Sequence, residues 1–495
     1  MHKVGFDNEK YVKMQSEHIR NRISKFGGKL YMEFGGKLFD DYHAARVLPG
    51  FQPDSKVKML LELKDQAEII IAINADDIEK NKLRSDLAIT YDLDVLRLID
   101  AFRDIGLYVG SVVLTQYSNA RHAADAFQKR LESLGVKVYR SYVIPGYPYE
   151  IPLIVSDEGY GRNEYIETSR SLVVVTAPGP GSGKMATCLS QLYHEHKRGV
   201  NAGYAKFETF PIWNLPLKHP VNLAYEAATA DLNDVNMIDP FHLDAYGETA
   251  INYNRDVEIF PVLSAIFERI YGESPYKSPT DMGVNMAGNC IIDDDAVRRA
   301  ASDEIIRRYY NALVQQRKGI GTPEEVNKIE LLMQLAGVTT DDRPCVRAAL
   351  EKAEQTGAPA AAMELPDGRI VMGKTSSLLG ATAALLLNAL KTLGNIQDDM
   401  LLISPLIIEP VQELKVGYLG NHNPRLHTDE VLLALSICAV TNPMAAHAMR
   451  QLIHLRGCEM HSSVILSQVD IDTLRKIGIN LTCEPRYQTK KLYHK

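Results

Sequence analysis

The sequence predicts an α/β protein. A mostly parallel N-terminal sheet with a glycine-rich turn precedes a helical middle region and a C-terminal α/β/α domain. The first observation is length, because 495 residues exceed what one hydrophobic core usually supports. The second is the alternation of β-branched apolar segments with helical segments, which is typical of a parallel sheet. The third is a glycine-rich segment between a strand and a helix. We expect domains at residues 1–225, 226–345 and 346–495.

The N-terminal domain begins with a predicted amphipathic helix over residues 9–26, whose apolar positions recur on one helical face. Two short strand-like segments around Gly35 and Gly36 follow. Apolar runs bounded by turn residues then predict a series of strands separated by helices. The predicted strands are 68–74, 108–115, 136–142, 151–158 and 172–176, and the predicted helices between the first of them are 95–105 and 123–134.

Composition and charge exclude several classes of function. The formal net charge is -7 and the Lys and Arg residues are scattered along the chain, which argues against nucleic-acid binding. No apolar run is long enough to span a membrane, and the polar N-terminus does not resemble a signal peptide. The cysteines show no C-x-x-C spacing, so we expect reduced thiols and a cytoplasmic protein.

Residues 171–197 give the clearest indication of chemistry in the sequence. The apolar run Val173–Val175 predicts a buried strand, and helical periodicity begins at Met185. Backbone N–H groups of the glycines between them form an anion-binding concavity, to which a helix N-terminus adds partial positive charge. The candidate phosphate-binding residues are Gly179, Gly181, Ser182, Gly183 and Lys184.

This segment resembles the P-loop pattern G-x-x-x-x-G-K-[ST] but departs from it at two positions. Pro178 occupies the first glycine position, and Met185 replaces the Ser or Thr that binds Mg²⁺. The alternative interpretation is a glycine- and proline-rich turn with a solvated Lys184.

The predicted strand 151–158 ends in two acidic residues, as the Walker B strand of nucleotide-binding proteins does. Ligands of open α/β sheets bind at the carboxyl ends of strands, so a carboxylate there would hold a metal beside the glycine-rich segment. We therefore expect Mg²⁺ together with a nucleotide as the cofactor. The candidate catalytic residues are Lys184, Asp157 and Glu158.

Polar side chains crowd two irregular stretches, one at residues 40–46 and a longer one at 210–288. Long irregular segments in a compact protein are often functional, so we expect some of these side chains to line a site. The alternative is that they cap helices and satisfy turn backbone. The substrate-binding candidates are Asp40, His43, Arg46, His219, Asp239, His242, Lys277, Ser278, Thr280 and Asp281.

Two helices, 293–316 and 324–336, form the predicted middle region. The last domain is predicted as helix 346–355, a hairpin of strands 358–364 and 369–373, helix 377–393 and a strand over 400–408. This order resembles the cytidine-deaminase-like fold. The zinc ligands and catalytic Glu of those deaminases are missing from this sequence, and it also lacks H-E-x-x-H, so we expect neither a zinc deaminase nor a zinc protease.

Four segments carry a family resemblance that covers nearly the whole chain, namely residues 26–51, 174–199, 210–247 and 278–291. They resemble an uncharacterised bacterial family known only as a domain of unknown function. The resemblance implies a cytosolic multidomain protein, and some members carry the label ATP-dependent peptidase. It supplies no established catalytic residue.

Together these patterns favour an enzyme that binds a nucleotide or another phosphorylated small molecule at the P-loop-like turn, with phosphoryl transfer as the expected reaction. The alternative is a non-catalytic metabolite-binding or oligomeric scaffold protein. In either case we expect a homo-oligomer with a phosphorylated small-molecule partner, and neither nucleic acid nor membrane as a partner.

Overall fold

The computed structural model describes residues 3–36, 38–39, 41–84, 89–118 and 121–489. The chain forms two compact units. The larger unit comprises Val4–Glu226 and Asn233–Arg298, and the C-terminal unit comprises residues 227–232 and the described residues from 299 onward. The boundaries expected at residues 225 and 345 remain predictions.

A seven-stranded sheet organises the larger unit, in the order β11-β8-β1-β7-β2-β5-β6. All neighbouring strands in it are parallel. Two antiparallel pairs, β3 with β4 and β9 with β10, lie outside this sheet. The strands are β1 Leu30–Phe34, β2 Ala67–Asn74, β3 Leu83–Arg84, β4 Ile89–Thr90, β5 Tyr108–Tyr117, β6 Lys137–Tyr142, β7 Leu172–Thr176, β8 Gly203–Phe207, β9 Asn236–Ile238, β10 Ile251–Tyr253 and β11 Gly283–Val284.

Helices connect the strands of the larger unit and cover the faces of its sheet. They are α1 Asn8–Lys25, α2 Tyr42–Val47, α3 Ser55–Glu62, α4 Ala75–Glu79, α5 Tyr91–Asp104, α6 His122–Ser133, α7 Ile151–Ile154, α8 Lys184–Lys197, α9 Pro220–Ala228, α10 Pro240–Tyr246, α11 Asn254–Tyr271 and α12 Pro279–Met282. Strands β1, β2 and β7 are buried along their whole length, as expected for a parallel sheet covered on both faces.

The connections made by β1 and β7 run in opposite directions along the sheet. From β1 the chain passes over β7 to β2, whereas from β7 it passes through α8 over β1 to β8. Because such crossovers are right-handed, opposite directions place the two connections on opposite faces. Open α/β sheets bind ligands where this divergence opens a crevice at the carboxyl ends of the strands.

Four of the predicted strands are confirmed, as β2, β5, β6 and β7. The strand predicted over 151–158 is wrong, because the chain forms α7 and a turn there. Pro152 lies in the first turn of α7, where a missing N–H costs no hydrogen bond. The Ser156 hydroxyl then ends the helix by donating to the Leu153 carbonyl at 2.6 Å.

The C-terminal unit contains a mixed sheet of order β13-β12-β14-β15, in which only β14 and β15 are parallel. The remaining strands are β12 Ala360–Glu364, β13 Ile370–Lys374, β14 Glu459–Ser462 and β15 Asn480–Cys483. The remaining helices are α13 Asp294–Arg317, α14 Pro323–Ala336, α15 Pro344–Thr356, α16 Ala381–Leu393, α17 Pro405–Glu413, α18 Thr428–Cys438, α19 Pro443–Arg450 and α20 Gln468–Ile477.

The predicted order of helix, hairpin and helix is confirmed by α15, β12, β13 and α16. The strand predicted over 400–408 is wrong, because α17 begins within it. The Ser404 hydroxyl accepts the Leu406 N–H at 3.3 Å and Pro405 begins the helix, a combination that favours a helix start. The resemblance to the cytidine-deaminase-like fold stays a prediction.

Buried charges hold the C-terminal unit together around Glu459. Arg343 is 1% exposed and donates to the Glu459 carboxylate at 2.7 Å. Arg307 donates to the other oxygen of that carboxylate at 2.6 Å. Since buried charges are tolerated only when paired, each arginine is needed to offset the desolvation of Glu459.

Replacing Arg343 with Leu should lower the free energy of unfolding by about 3 kcal/mol, because a buried carboxylate loses one of its partners. The matched control is Arg347→Leu, four residues further along. The Arg347 side chain is 75% exposed and pairs with Glu351, so its loss should cost at most about 0.5 kcal/mol. Chemical denaturation of both variants makes the comparison, and equal stabilities would contradict the role assigned to Arg343.

Candidate functional site at the carboxyl edge of the parallel sheet

The glycine-rich loop, residues 177–183, joins β7 to α8 at the carboxyl edge of the sheet. The predicted succession of strand, loop and helix is therefore confirmed. Gly183 caps α8 in the left-handed conformation, at φ 82°, with no side-chain capping bond. Gly181 also has a positive φ, 74°, which only glycine adopts readily. Lys184 is the first residue of α8.

The carbonyl groups of this loop point toward protein donors. The Thr115 hydroxyl donates to the Ser182 carbonyl at 2.8 Å, and the Asn74 carboxamide donates to the Gly181 carbonyl at 3.5 Å. By contrast, the backbone N–H groups of residues 181–184 donate to no described residue. The loop therefore directs its acceptors inward and leaves its donors available.

Close packing fixes the glycine-rich loop from both ends. A Cβ on Gly179 would lie 2.2 Å from the Tyr91 hydroxyl, and one on Gly183 would lie 3.0 Å from Thr115. The Ser182 hydroxyl is turned inward, where it donates to the Gly179 carbonyl at 2.9 Å. Ser182 is fully buried, and its hydroxyl stabilises the loop itself.

Lys184 is half-buried and forms no ion pair with a described residue. Thr187, the next hydroxyl along α8, donates to the Gly183 carbonyl at 2.9 Å and so is held against the helix backbone. One turn beyond Lys184, Cys188 is buried. Burial raises the pKa of the Cys188 thiol well above its usual range, the charge of Glu33 adds to this effect, and Lys184 opposes it.

Asp157 and Glu158, the expected metal ligands, are not at a strand end. Both are exposed, and the Asp157 carboxylate accepts hydrogen bonds from Lys197 and from the Tyr193 hydroxyl, the latter at 2.9 Å. Lys197 is the last residue of the 14-residue helix α8, which is roughly 21 Å long. The two carboxylates therefore lie at the opposite end of α8 from Lys184, and this part of the expected arrangement is corrected.

Glu33 is a buried carboxylate near the carboxyl edge of the sheet, on a strand next to β7. It lies on β1, paired in register with Val175 of β7 on one side and Lys206 of β8 on the other. The Tyr204 hydroxyl donates to it at 2.8 Å. Residues in register on neighbouring parallel strands face the same side of a sheet, so Glu33 lies between the loop and Lys206.

Lys206 joins two carboxylates in a charge cluster at the end of β8. Its ammonium lies 2.6 Å from Glu208 and 2.5 Å from Asp256. Burial raises the pKa of Glu208 to about 7, Lys206 opposes this shift, and the nearby charge of Asp256 increases it. Glu208 thereby becomes a group that can exchange a proton near neutral pH.

A cavity of about 410 Å³ opens beside this cluster, between α1, β8, β10 and the segment 279–286. Burial, with a smaller contribution from Arg22, lowers the pKa of His18 on its wall to about 4, so His18 is neutral at pH 7. The chain's one tryptophan also lines it. The lining residues that concern the chemistry are His18, Arg22, Lys206, Glu208, Trp213, His242, Glu248, Asn252, Asp256, Thr280 and Asp281.

Five of the predicted polar candidates are brought together here. The Asp239 carboxylate caps α10 and also accepts the Thr280 hydroxyl at 2.6 Å. The Ser278 hydroxyl caps α12 and lies 2.9 Å from Nδ1 of His242. The Asp281 carboxylate accepts the Tyr246 hydroxyl at 2.8 Å. Asp239 and Ser278 thus act as caps, while His242, Thr280 and Asp281 line the cavity.

The other candidates are placed elsewhere, and Asp40 lies outside the described residues. His43 and Arg46 both lie on α2, and the His43 ring packs edge-on against the ring of Phe210. His219 is buried and lies 3.0 Å from Asp294, and burial lowers its pKa. Lys277 is exposed, with its ammonium 5.7 Å from the centre of the Tyr246 ring.

Sequence reasoning missed Glu33, Lys206, Glu208, Asp256 and the α1 residues His18 and Arg22. Lys206 and Glu208 alternate with Phe207 near the end of an apolar segment, which is a recognisable strand-end pattern. The α1 residues belong to an ordinary amphipathic helix, so only the tertiary fold brings them to the cavity.

Among the described residues, no group of three or more His, Cys, Asp or Glu side chains is arranged to hold a metal ion. No helix within the described ranges has the length and apolar character needed to cross a membrane.

The fold and the loop define an α/β protein with a glycine-rich turn at the switch point of a parallel sheet. The chain belongs to the DUF1846 family: its N-terminal domain-of-unknown-function model matches residues 4–337, and the C-terminal model matches residues 341–493. A UPF0371 protein of Streptococcus pyogenes serotype M5 is 60% identical over the full length of both chains. A UPF0371 protein of Corynebacterium urealyticum is 58% identical, covering 100% of this chain and 99% of its own.

Replacing Glu208 with Gln should change how stability depends on pH. The folded chain retains a proton on Glu208 up to about pH 7, whereas the ordinary pKa of 4.5 applies to the unfolded chain. This group's contribution to stability is therefore full near pH 4 and is lost as the pH rises through 7. Chemical denaturation gives the free energy of unfolding near pH 5 and near pH 8. Between these two pH values the titration of Glu208 lowers the free energy of unfolding of the wild type, and Glu208→Gln should lack a decrease on the order of 2 kcal/mol.

The matched control is Glu273→Gln, because Glu273 is exposed and does not line the cavity. It should reproduce the wild-type pH dependence. A Glu208→Gln variant with the wild-type dependence would refute the shifted titration of Glu208.

Proposed function

We propose that this protein is a cytoplasmic enzyme that binds a nucleotide or another phosphorylated small molecule, with the phosphate held by residues 179–184. The observation that carries the proposal is that the backbone N–H groups of residues 181–184 donate to no described residue at the start of α8, beside Lys184, with Gly181 exposed. Aligned N–H groups at a helix N-terminus bind anions through hydrogen bonds and the helix dipole. The Lys184 ammonium, which forms no ion pair with any residue that the structure describes, adds a full charge at the same place.

The loop favours phosphate binding over the full P-loop mechanism. Met185 follows the lysine, and the Thr187 hydroxyl is bonded to the helix backbone, so neither supplies the hydroxyl that holds Mg²⁺ in P-loop proteins. Asp157 and Glu158 lie at the far end of α8. Mg²⁺ would accordingly enter bound to the nucleotide phosphates, with Glu33 of β1 as a buried carboxylate on the strand next to the loop.

Phosphoryl transfer depends mainly on positioning and on the stabilisation of charge. In this role Lys184 stabilises the negative charge of the transferred group. Glu208, which exchanges a proton near neutral pH, lies one strand beyond β1 on the same edge and is suited to serve as the acid or base.

A second candidate function is an oligomeric scaffold, which the surface of the C-terminal unit favours. Several large apolar side chains there are strongly exposed, namely Leu406, Tyr418, Val440 and Ile453, at 77%, 79%, 83% and 76%. Contiguous exposed apolar surface marks interaction sites, and Leu406 and Tyr418 lie on one continuous helical segment over residues 405–418. A homo-oligomer that binds its ligand saturably without consuming it would favour the scaffold, whereas turnover of the ligand would favour the enzyme.

Lys184→Ala should weaken the binding of ATP or ADP by at least about tenfold, which corresponds to about 1.4 kcal/mol, because the variant removes the full positive charge at the loop. Isothermal titration with ATP, ADP and inorganic phosphate, each with and without Mg²⁺, measures this. The matched control is Lys129→Ala, an exposed lysine on α6, which should bind as the wild type does.

Equal affinities of the wild type and Lys184→Ala would remove the lysine from the site. An absence of binding by the folded wild type to every one of these compounds would contradict phosphate binding at the loop.

A further inference from the structure

We infer that the cavity beside β8 binds a sugar carried on a diphosphate, with the diphosphate held at the glycine-rich loop. This inference rests on the proposed function, because the loop supplies the phosphate site. It goes further by assigning the cavity and by naming the class of substrate.

The charges on the cavity wall argue against phosphate in the cavity itself. The wall carries four carboxylates and two cations, namely Glu208, Glu248, Asp256, Asp281, Arg22 and Lys206. A phosphate would meet an excess of negative charge there. A purely cationic ligand would in turn meet Arg22 and Lys206. Sugar hydroxyl groups each donate and accept hydrogen bonds, so they suit a wall on which carboxylates and cations alternate.

Two buried side chains on this wall keep hydrogen-bonding groups available. Asn252 is 8% exposed, and its carboxamide oxygen accepts the Tyr253 N–H at 2.9 Å, while its NH₂ group donates to no described residue. His242 is also 8% exposed. Its Nδ1 lies 2.9 Å from the Ser278 hydroxyl, and its Nε2 contacts no hydrogen-bonding group among the described residues. Neither nitrogen is a fully buried atom, so both are open to the cavity that these residues line, where each can form a hydrogen bond to a polar ligand.

The cavity also offers an apolar surface for the carbon face of a sugar ring. Trp213 is half-buried on the wall, fixed by its indole N–H, which donates to the Asn285 carbonyl at 2.7 Å. Met282 and Ile251 extend the apolar part of the wall. Sites with a few placed polar groups on an apolar lining orient small ligands specifically.

The distance between the glycine-rich loop and the cavity determines how long the link between the phosphate and the sugar of the ligand must be. The loop follows β7 and the cavity begins at Lys206 of β8, with β1 between these strands. Neighbouring strands are about 4.8 Å apart, so the strand ends are separated by roughly 10 Å. Glu33 of β1 lies between them. The second phosphate of a diphosphate lengthens the link between a phosphate held at the loop and a sugar ring that reaches the cavity, which favours a nucleoside diphosphate sugar over a sugar monophosphate.

The experiment follows the fluorescence of Trp213, the only tryptophan in the chain, during titration with UDP-glucose, ADP-glucose and GDP-mannose. Each is compared with its sugar-free diphosphate, UDP, ADP or GDP. One of the sugar conjugates should bind at least tenfold more tightly than its sugar-free diphosphate and change the fluorescence saturably. Glu248→Gln, at an exposed position that should not disturb folding, and Asn252→Ala should each abolish most of that advantage. Glu273→Gln should leave it intact.

The outcomes separate the two proposals. If UDP, ADP or GDP binds in a Lys184-dependent manner and as tightly as its sugar conjugate, the sugar inference is overturned while phosphate binding at the loop stands. If a sugar conjugate binds equally well in Lys184→Ala, the phosphate role of the loop is lost. If hexose 6-phosphates bind as tightly as the diphosphate conjugates, the diphosphate link is refuted.

Discussion

The half-buried ammonium of Lys206 is the charge on which the carboxyl edge of the sheet depends. It lies at the end of β8 and is bound by Asp256 from α11 and by Glu208 from its own strand end. A desolvated cation is stable only when paired, so it fixes α11 against the sheet. Burial raises the pKa of Glu208 to about 7, Lys206 opposes this shift, and the nearby charges of Asp256 and Glu33 add to it. Proton exchange near neutral pH is therefore a consequence of how the edge is packed.

Topology explains why the loop and the cavity share one edge. All strands of the larger sheet are parallel, so every strand–helix connection leaves from the same side. Strand β1 comes first in the chain, and its two neighbours in the sheet, β7 and β8, come much later in the sequence. Segments distant in sequence, such as residues 177–183 and 279–286, consequently converge within a few strand spacings of Glu33. The cavity wall is completed by α1, whose polar side chains come from the very start of the chain.

The elements predicted correctly from sequence are those in which local pattern and tertiary environment agree. Strands β2 and β7 are continuous apolar runs, and α5 and α6 have a clear helical period. Segments 151–158 and 400–408 are equally apolar, but a proline in the first turn and a serine cap turn them into helices. The cluster around Lys206 could not be predicted, because Asp256 and Glu33 reach it from other elements. Of the polar candidates, His242, Thr280 and Asp281 line the cavity, whereas His219 pairs with Asp294.

The glycine-rich loop departs from the P-loop sequence pattern and still has the backbone features that bind an anion. Anion binding is favoured by positive φ at Gly181 and Gly183, by N–H groups that donate to no described residue and by a helix that begins at once, all of which this loop has. Metal-dependent hydrolysis also needs a hydroxyl after the lysine and a carboxylate at an adjacent strand end. Neither Met185 nor the inward-bonded Thr187 supplies the hydroxyl. The carboxylate expected from the sequence, Asp157, lies at the other end of α8, and Glu33 on the adjacent strand β1 is a different residue from the one predicted. Phosphate recognition at this loop therefore rests on backbone geometry and Lys184. The groups suited to acid or base catalysis are those at the end of β8, namely Lys206, Glu208 and Asp256.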